Sequence, residues 1–210
     1  MADITPGQFP TDPTFTTVNF KTVTPSLTTV TNSGKMRRVG YGVSYYSFDV
    51  QYPPLAPIDA REVQGFLGAS LGTLFSFEIV LPKISYSVSA NAVTANATVT
   101  TANAISWGAN AVMLSNCGAN KTILYAGEYF RFANHSKVYM CTNRNTGVQS
   151  NAAGYATLTF SGSCVTSVPA GQRVQIDAVP FTVIQAEQEQ TQEVSYGGLT
   201  TMKLSMREVW

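Results

Sequence analysis

The sequence predicts a mainly-β fold, a sandwich or barrel with one short amphipathic helix packed alongside, and three observations carry that prediction. Short segments of alternating apolar and polar residues recur at roughly ten-residue spacing, separated by Gly and Asn turns. A single stretch, after Pro57, combines helical periodicity with start and stop signals. The 210 residues are 44% hydrophobic, which suffices to fill a core.

Taken in order, residues 4–20 are rich in Pro and Thr and carry spaced aromatics at Phe9, Phe15 and Phe20. They predict an extended N-terminal arm over residues 1–20, or an edge strand, of the kind that clips onto a neighbour. Residues 21–210 then form the β-rich domain. Alternation over residues 23–30, a turn at Asn32-Ser33-Gly34 and an aromatic strand segment over residues 37–52 predict a hairpin. Within that strand the even positions Tyr46, Phe48, Val50 and Tyr52 form a period-two stripe that lines one sheet face.

The helix is predicted near residues 59–71. Asp59 caps its first turn and Glu62 returns the bond three residues on. Val63, Phe66, Leu67 and Leu71 share one face, and Gly72 closes it. Residues 73–81 resume strand character until Pro82. Residues 85–112 change to a nearly uncharged Ser/Ala/Asn/Val/Thr texture and predict a β-hairpin insertion. Further short strands follow at 112–114, 123–125, 129–132, 137–142, 155–160, 174–179 and 181–184. After a Gln/Glu stretch over residues 185–194, Gly197-Gly198 leads into a last strand over residues 200–210.

Charge points to neighbours of the same kind. Thirteen basic and twelve acidic residues leave a formal charge of +1, and the largest basic run is Lys35-Met36-Arg37-Arg38, so nothing demands nucleic acid as a stable partner. Charged residues are only 12% of the chain, about half the quarter usual for a soluble domain. A surface covered by neighbouring subunits explains that, because burying charge at an interface is costly. An extracellular or capsid-like β protein has a similar composition. The polar N-terminus predicts no signal peptide, and no apolar run approaches the roughly 18 residues of a membrane span.

Catalytic chemistry is sparse in the sequence. Cys117, Cys141 and Cys164 are widely spaced, lack a CxxC pair and have only His135 to help hold a metal; they read as free packed thiols, with a Cys141–Cys164 bridge as the alternative. His135 lies in an Asn-His-Ser turn rather than beside a nucleophile. The acidic residues before Glu187 are scattered singly, so a hydrolase pair would have to be assembled by the fold. Gly65, Gly68 and Gly72 lie within or after the helix and not before it, so no phosphate-binding loop is predicted. The expectation is a non-enzymatic chain with no catalytic residue, cofactor or metal. Glu187, Glu189 and Glu193 put three like charges in a small space, either as a solvated loop or as an acidic lining for a channel through which nucleic acid passes without sticking.

Two segments resemble a known family. The first runs from Phe9 to Pro82 and holds Asn19-Phe20, the Ser33-Gly34-Lys35 triplet with Arg37 and Arg38 behind it, YSFDVQYPPL, FLGASLG and FSFEIVLP. The second holds LYAGEYF from Leu124, KVYMCT from Lys137 and GYATL from Gly154. Together they are similar to tail structural proteins of long-tailed bacteriophages, in the broad group of distal tail and baseplate-hub proteins related to tail tube subunits. Glu128 stands where that group's pattern leads one to expect Asp, and residues 85–112 depart from it further.

The resemblance implies a tail-tube-like β-barrel or sandwich with a helix alongside, a sixfold ring of copies around the tail channel, and contacts with neighbouring tail or baseplate proteins. It also implies DNA only in transit through the channel, no membrane insertion, and a place in the virion tail after assembly in the host cytoplasm. The competing reading is a carbohydrate- or receptor-binding β-sandwich module of the virion that uses Tyr41, Tyr45, Tyr46 and Trp107.

Overall fold

The computed structural model describes residues 9–10, 12, 14–187, 192–195 and 197–210. Strands β1 (Thr17–Val23), β2 (Ser26–Val30), β3 (Met36–Gly40) and β4 (Tyr45–Gln51) precede helix α1 (Pro57–Ala69) and β5 (Phe77–Ile79). Next come α2 (Ala90–Ala95), β6 (Thr100–Thr101), β7 (Ala111–Ser115), β8 (Thr122–Leu124), β9 (Tyr129–Phe132), β10 (Val138–Met140), β11 (Val148–Gln149), β12 (Ala156–Thr159) and β13 (Val174–Gln175). The chain ends with β14 (Phe181–Gln185), β15 (Gln192–Val194) and β16 (Thr200–Glu208).

The principal sheet has the order β1-β4-β16-β14-β5, with β15 added on β16, and every pairing in it is antiparallel. Alternation in β4 decides which face is wet. Tyr46, Phe48 and Val50 are fully buried, whereas Tyr45, Ser47, Asp49 and Gln51 between them are only half-buried. Register sets Leu204 opposite Val50 and Met206 opposite Phe48, so β16 buries Met202, Leu204 and Met206 on the same side. Helix α1 covers that apolar face with Ala60, Val63 and Leu67.

The chain is mainly β, as the sequence predicts, and is sandwich-like. Among the described residues none of its sheets closes into a barrel, so the barrel alternative fails. Strand pairing stops at short ladders: besides the principal sheet there are β10-β9-β13, β12-β7-β6, β11-β8 and β2-β3.

Apolar side chains gather in two clusters. One draws on residues 9–81 and 179–206 with Val138; the other draws on residues 92–176. Residues 80–180 are thus a lobe inserted between β5 and β14, which pair directly, Ile79 opposite Phe181 and Phe77 opposite Val183.

Four local expectations need correction. Helix α1 begins at Pro57, whose fixed φ and missing N–H suit the first helical position, and its N-cap Ala56 offers no side-chain bond; Asp59 lies inside the first turn and caps nothing. Leu71 does not share the buried face, because the helix ends at Ala69 and the chain turns left-handed at Leu71 and Gly72. No hairpin forms over residues 85–112. The Ala-rich Ala90–Ala95 segment is a second helix, and Thr100–Thr101 pair instead with Leu114 and Ser115, while Ile105 bridges Val168.

In the fourth case the extended arm gives way to its alternative, since β1 is an edge strand of the principal sheet. Of residues 1–20, 1–8, 11 and 13 lie outside the described residues. Phe9 is buried in the chain's own core, where it packs on Phe15, Tyr52, Phe66 and Phe77 and donates its N–H to the Glu78 carbonyl at 2.8 Å. Residues 17–20 are already β1, paired with β4. An aromatic residue every few positions gives this segment enough apolar surface to be held internally.

Candidate interaction surface

The most unusual local feature is the β2–β3 hairpin. All ten of its strand residues are exposed, although four are large and apolar: Leu27 at 57%, Val30 at 60%, Met36 at 50% and Val39 at 61%. Its turn is well made. The Thr31 N–H donates to the Lys35 carbonyl and the Gly34 N–H to the Thr31 carbonyl, with Gly34 at φ +77° supplying the left-handed residue.

Register places the apolar residues as cross-strand pairs, Leu27 opposite Val39 and Val30 opposite Met36. The two pairs lie on opposite faces of the ribbon, because they differ by an odd number of positions. Arg37 shares the Leu27 face and Arg38 the Met36 face, where its Nε reaches the Met36 sulfur at 3.1 Å. A two-stranded ribbon with nothing against either face is marginal in water.

The root of this ribbon is fixed on the inserted lobe. The Ser163 N–H donates to the Gly42 carbonyl at 2.8 Å, and Gly42 and Gly162 meet so closely that a side-chain carbon on Gly162 would touch the Gly42 oxygen at 3.4 Å. On the far side of the same turn the Gly108 N–H donates to the Cys164 carbonyl. Tyr41 and Trp107, each adjacent to one of those anchoring glycines, are 66% and 75% exposed.

A buried ion pair ties the lobe to the principal sheet. Lys137 Nζ donates to Glu208 Oε2 at 2.7 Å, with both side chains essentially inaccessible. Glu208 also accepts the backbone N–H groups of Tyr46 and Val138, and Lys137 donates to the Val138 carbonyl. The ammonium lies 4.7 Å from the centre of the Tyr46 ring and 4.8 Å from that of Trp210. Burial pushes the Glu208 carboxyl up and the Lys137 ammonium down, and the two charges oppose each other's shift.

Where the chain crosses between sheet and lobe lies an open groove of about 650 Å³, lined by Phe15, Tyr86 and the Arg131–Glu78 ion pair among others. Lys83 and Ala178, one on each crossing segment, both hold left-handed backbone there, at φ 62° and 47°.

The residues singled out in the sequence do not converge. Glu187 and Glu193 are exposed, and Glu189 lies outside the described residues. Glu187 borders a depression shared with Lys203 and with the Lys21–Asp49 pair, whose lysine holds the Asp49 carboxyl below its usual range. Of the four aromatics considered for sugar, Tyr46 is core and Tyr45 lies under the Arg207 guanidinium, 4.2 Å from it; they form no common platform with Tyr41 and Trp107.

Cys117, Cys141 and Cys164 are free and buried, and burial raises the thiols of Cys117, to about 11, and of Cys141. Raised thiols are poor nucleophiles. Glu128 accepts from the Ser87 hydroxyl and from the N–H groups of Val88 and Tyr125, and Asp177 from the Ser87 N–H, so these carboxylates tie loops together. Among the described residues no three His, Cys, Asp or Glu side chains gather as metal ligands, and no helix is long and apolar enough to cross a membrane. No protein-family model matches the chain, and no curated protein matches it.

What the sequence did not single out is the far end of the principal sheet. Leu55 bridges Thr200 there, each donating its N–H to the other's carbonyl, and Val194 pairs with Thr200. Ile58, Val194 and Leu199 cluster along the chain around this bridge and are exposed at 77%, 67% and 44%. A bond from Gln64 to Gln192 brings α1 alongside β15. Ile58 lies in the first turn of α1, Val194 ends β15 and Leu199 lies in the turn that follows, so the three share no periodic signal and pattern reading passes over them.

Proposed function

We propose that this chain is a structural subunit of a bacteriophage tail, at the tail tip, baseplate hub or a tube-associated ring, that self-assembles around the tail channel in a tail-tube-like arrangement. One observation carries the self-assembly: among the described residues the β2–β3 hairpin exposes both faces with four large apolar side chains, and an assembly would supply their cover. The low charge of the sequence and the sandwich-like, mainly-β fold with α1 on its sheet fit the same reading. The tail assignment rests on the resemblance over residues 9–82 and 124–160, and the mechanism is burial of equivalent surfaces between copies.

Light scattering on a sizing column with negative-stain imaging tests it. The wild type is expected to run as a closed oligomer with a central hole. Replacing residues 26–40 by a short Gly-Ser linker is expected to give a monomer whose thermal unfolding is little changed. A wild type that stays monomeric at every accessible concentration overturns the proposal. A receptor-binding reading draws on the exposed Tyr41 and Trp107 at one turn; retardation of the protein on immobilised glycans, lost in Trp107→Ala, would favour it instead.

A further inference from the structure

The two ends of the principal sheet are complementary. At one end the chain leaves β1 at Val23 and re-enters at Tyr45 of β4, so the hairpin projects from there. Its segment, residues 24–44, holds Lys35, Arg37 and Arg38 and no acidic residue. At the other end, one length of β4 away or roughly 20 Å, β4 hands over through Leu55 to α1 while β15 and β16 meet in a turn. That end exposes Ile58, Val194 and Leu199, and its charged residues are mostly acidic: Asp59 and Glu62 against Arg61 on α1, and, on the sheet face away from α1, Glu193 of β15 opposite Thr201, with Lys203 two positions further along β16. Each end therefore offers exposed apolar side chains among charges of one predominant sign, and the signs are opposite.

We infer that the β2–β3 hairpin of one copy docks on the Ile58–Val194–Leu199 end of the next copy, with Arg37 and Arg38 against Glu62 and Glu193. The inference rests on the self-assembly reading and names the surface that reading leaves open. Such a contact is head-to-tail: hairpin and receiving end are different surfaces, so each copy uses both, and repetition generates a ring where the rotation closes. Burial of the apolar side chains supplies affinity, and the charges fix register and speed encounter. It also gives Glu193 a role at a subunit contact in place of the channel lining.

Two charge-reversal variants test the pairing, Arg37→Glu with Arg38→Glu, and Glu62→Arg with Glu193→Arg. All four side chains are exposed, so folding is expected to survive, as thermal melts will show. Each variant alone is expected to assemble at least tenfold more weakly than wild type. An equimolar mixture of the two restores assembly, because every hairpin then meets an end of opposite sign. As a milder check, the neutral pair Arg37→Gln with Arg38→Gln is expected to flatten the salt dependence of assembly. If the wild type assembles but the Glu62→Arg, Glu193→Arg variant assembles equally well, or the mixture stays dissociated, this docking is wrong and self-assembly stands. If the wild type is monomeric throughout, the underlying reading falls with it.

Discussion

His135 has both ring nitrogens engaged: Nδ1 meets Asn134 Oδ1 and Nε2 meets the Tyr139 hydroxyl, each at 2.8 Å. Burial first, then the charges of Lys137 and Arg131, push its imidazole down to about 4. A folded-state value below the unfolded one of about 6.5 means that stability is complete above that pH and declines as pH falls toward 4. Thermal melts between pH 7 and 4 are expected to show the decline, and His135→Asn is expected to make it shallower; parallel profiles would remove His135 from the account. The Lys137–Glu208 pair makes a different prediction. Lys137→Met leaves a buried carboxylate without its counter-charge and is expected to cost about 3–5 kcal/mol in urea unfolding. Adding Glu208→Gln removes that charge while keeping an acceptor for a backbone N–H, so the double variant is expected to recover much of the loss.

At the scale of the element, the N-terminal segment belongs to the chain's own core. Phe9→Ala would empty a site bounded by four aromatic rings, and a loss of about 3–5 kcal/mol is expected in denaturant titration. An unchanged midpoint would mean that the segment is held elsewhere. Local pattern explains which elements could be read from sequence. The β4 stripe was legible because period and aromatic content agree at Tyr46, Phe48, Val50 and Tyr52, and all four are buried. The α1 start was misread because Asp59 and Glu62 mimic a capping box, while the proline two residues earlier had already begun the helix. Residues 85–112 gave no dependable signal, since their strand partners include residues 113–115, 158–159 and 168–173 and their composition favours neither period. The hairpin was legible as a hairpin; its lack of cover was not, because exposure on both faces is a property of what fails to pack against it. Glu208 could not be matched to Lys137, 71 positions away, by any local rule.

Across the whole molecule, the two apolar clusters are separate in chain but not in space: Val138 of the lobe is buried in the sheet's cluster, and Tyr129 packs against it beside Phe20, Tyr46 and Phe181. Together with the ion pair, these contacts fix the lobe against the surface from which the hairpin departs, and Gly42 meets Gly162 there. Placement of the hairpin therefore depends on the lobe. The entry and exit of residues 80–180 carry a further consequence. Ile79 and Phe181 are hydrogen-bonded neighbours, about 5 Å apart at Cα, so the lobe is plugged into the scaffold like a cassette into a two-pin socket. Exchanging that cassette leaves the scaffold's strand order intact only where the replacement covers the core positions now filled by Val138 and Tyr129 and supplies a partner for Glu208.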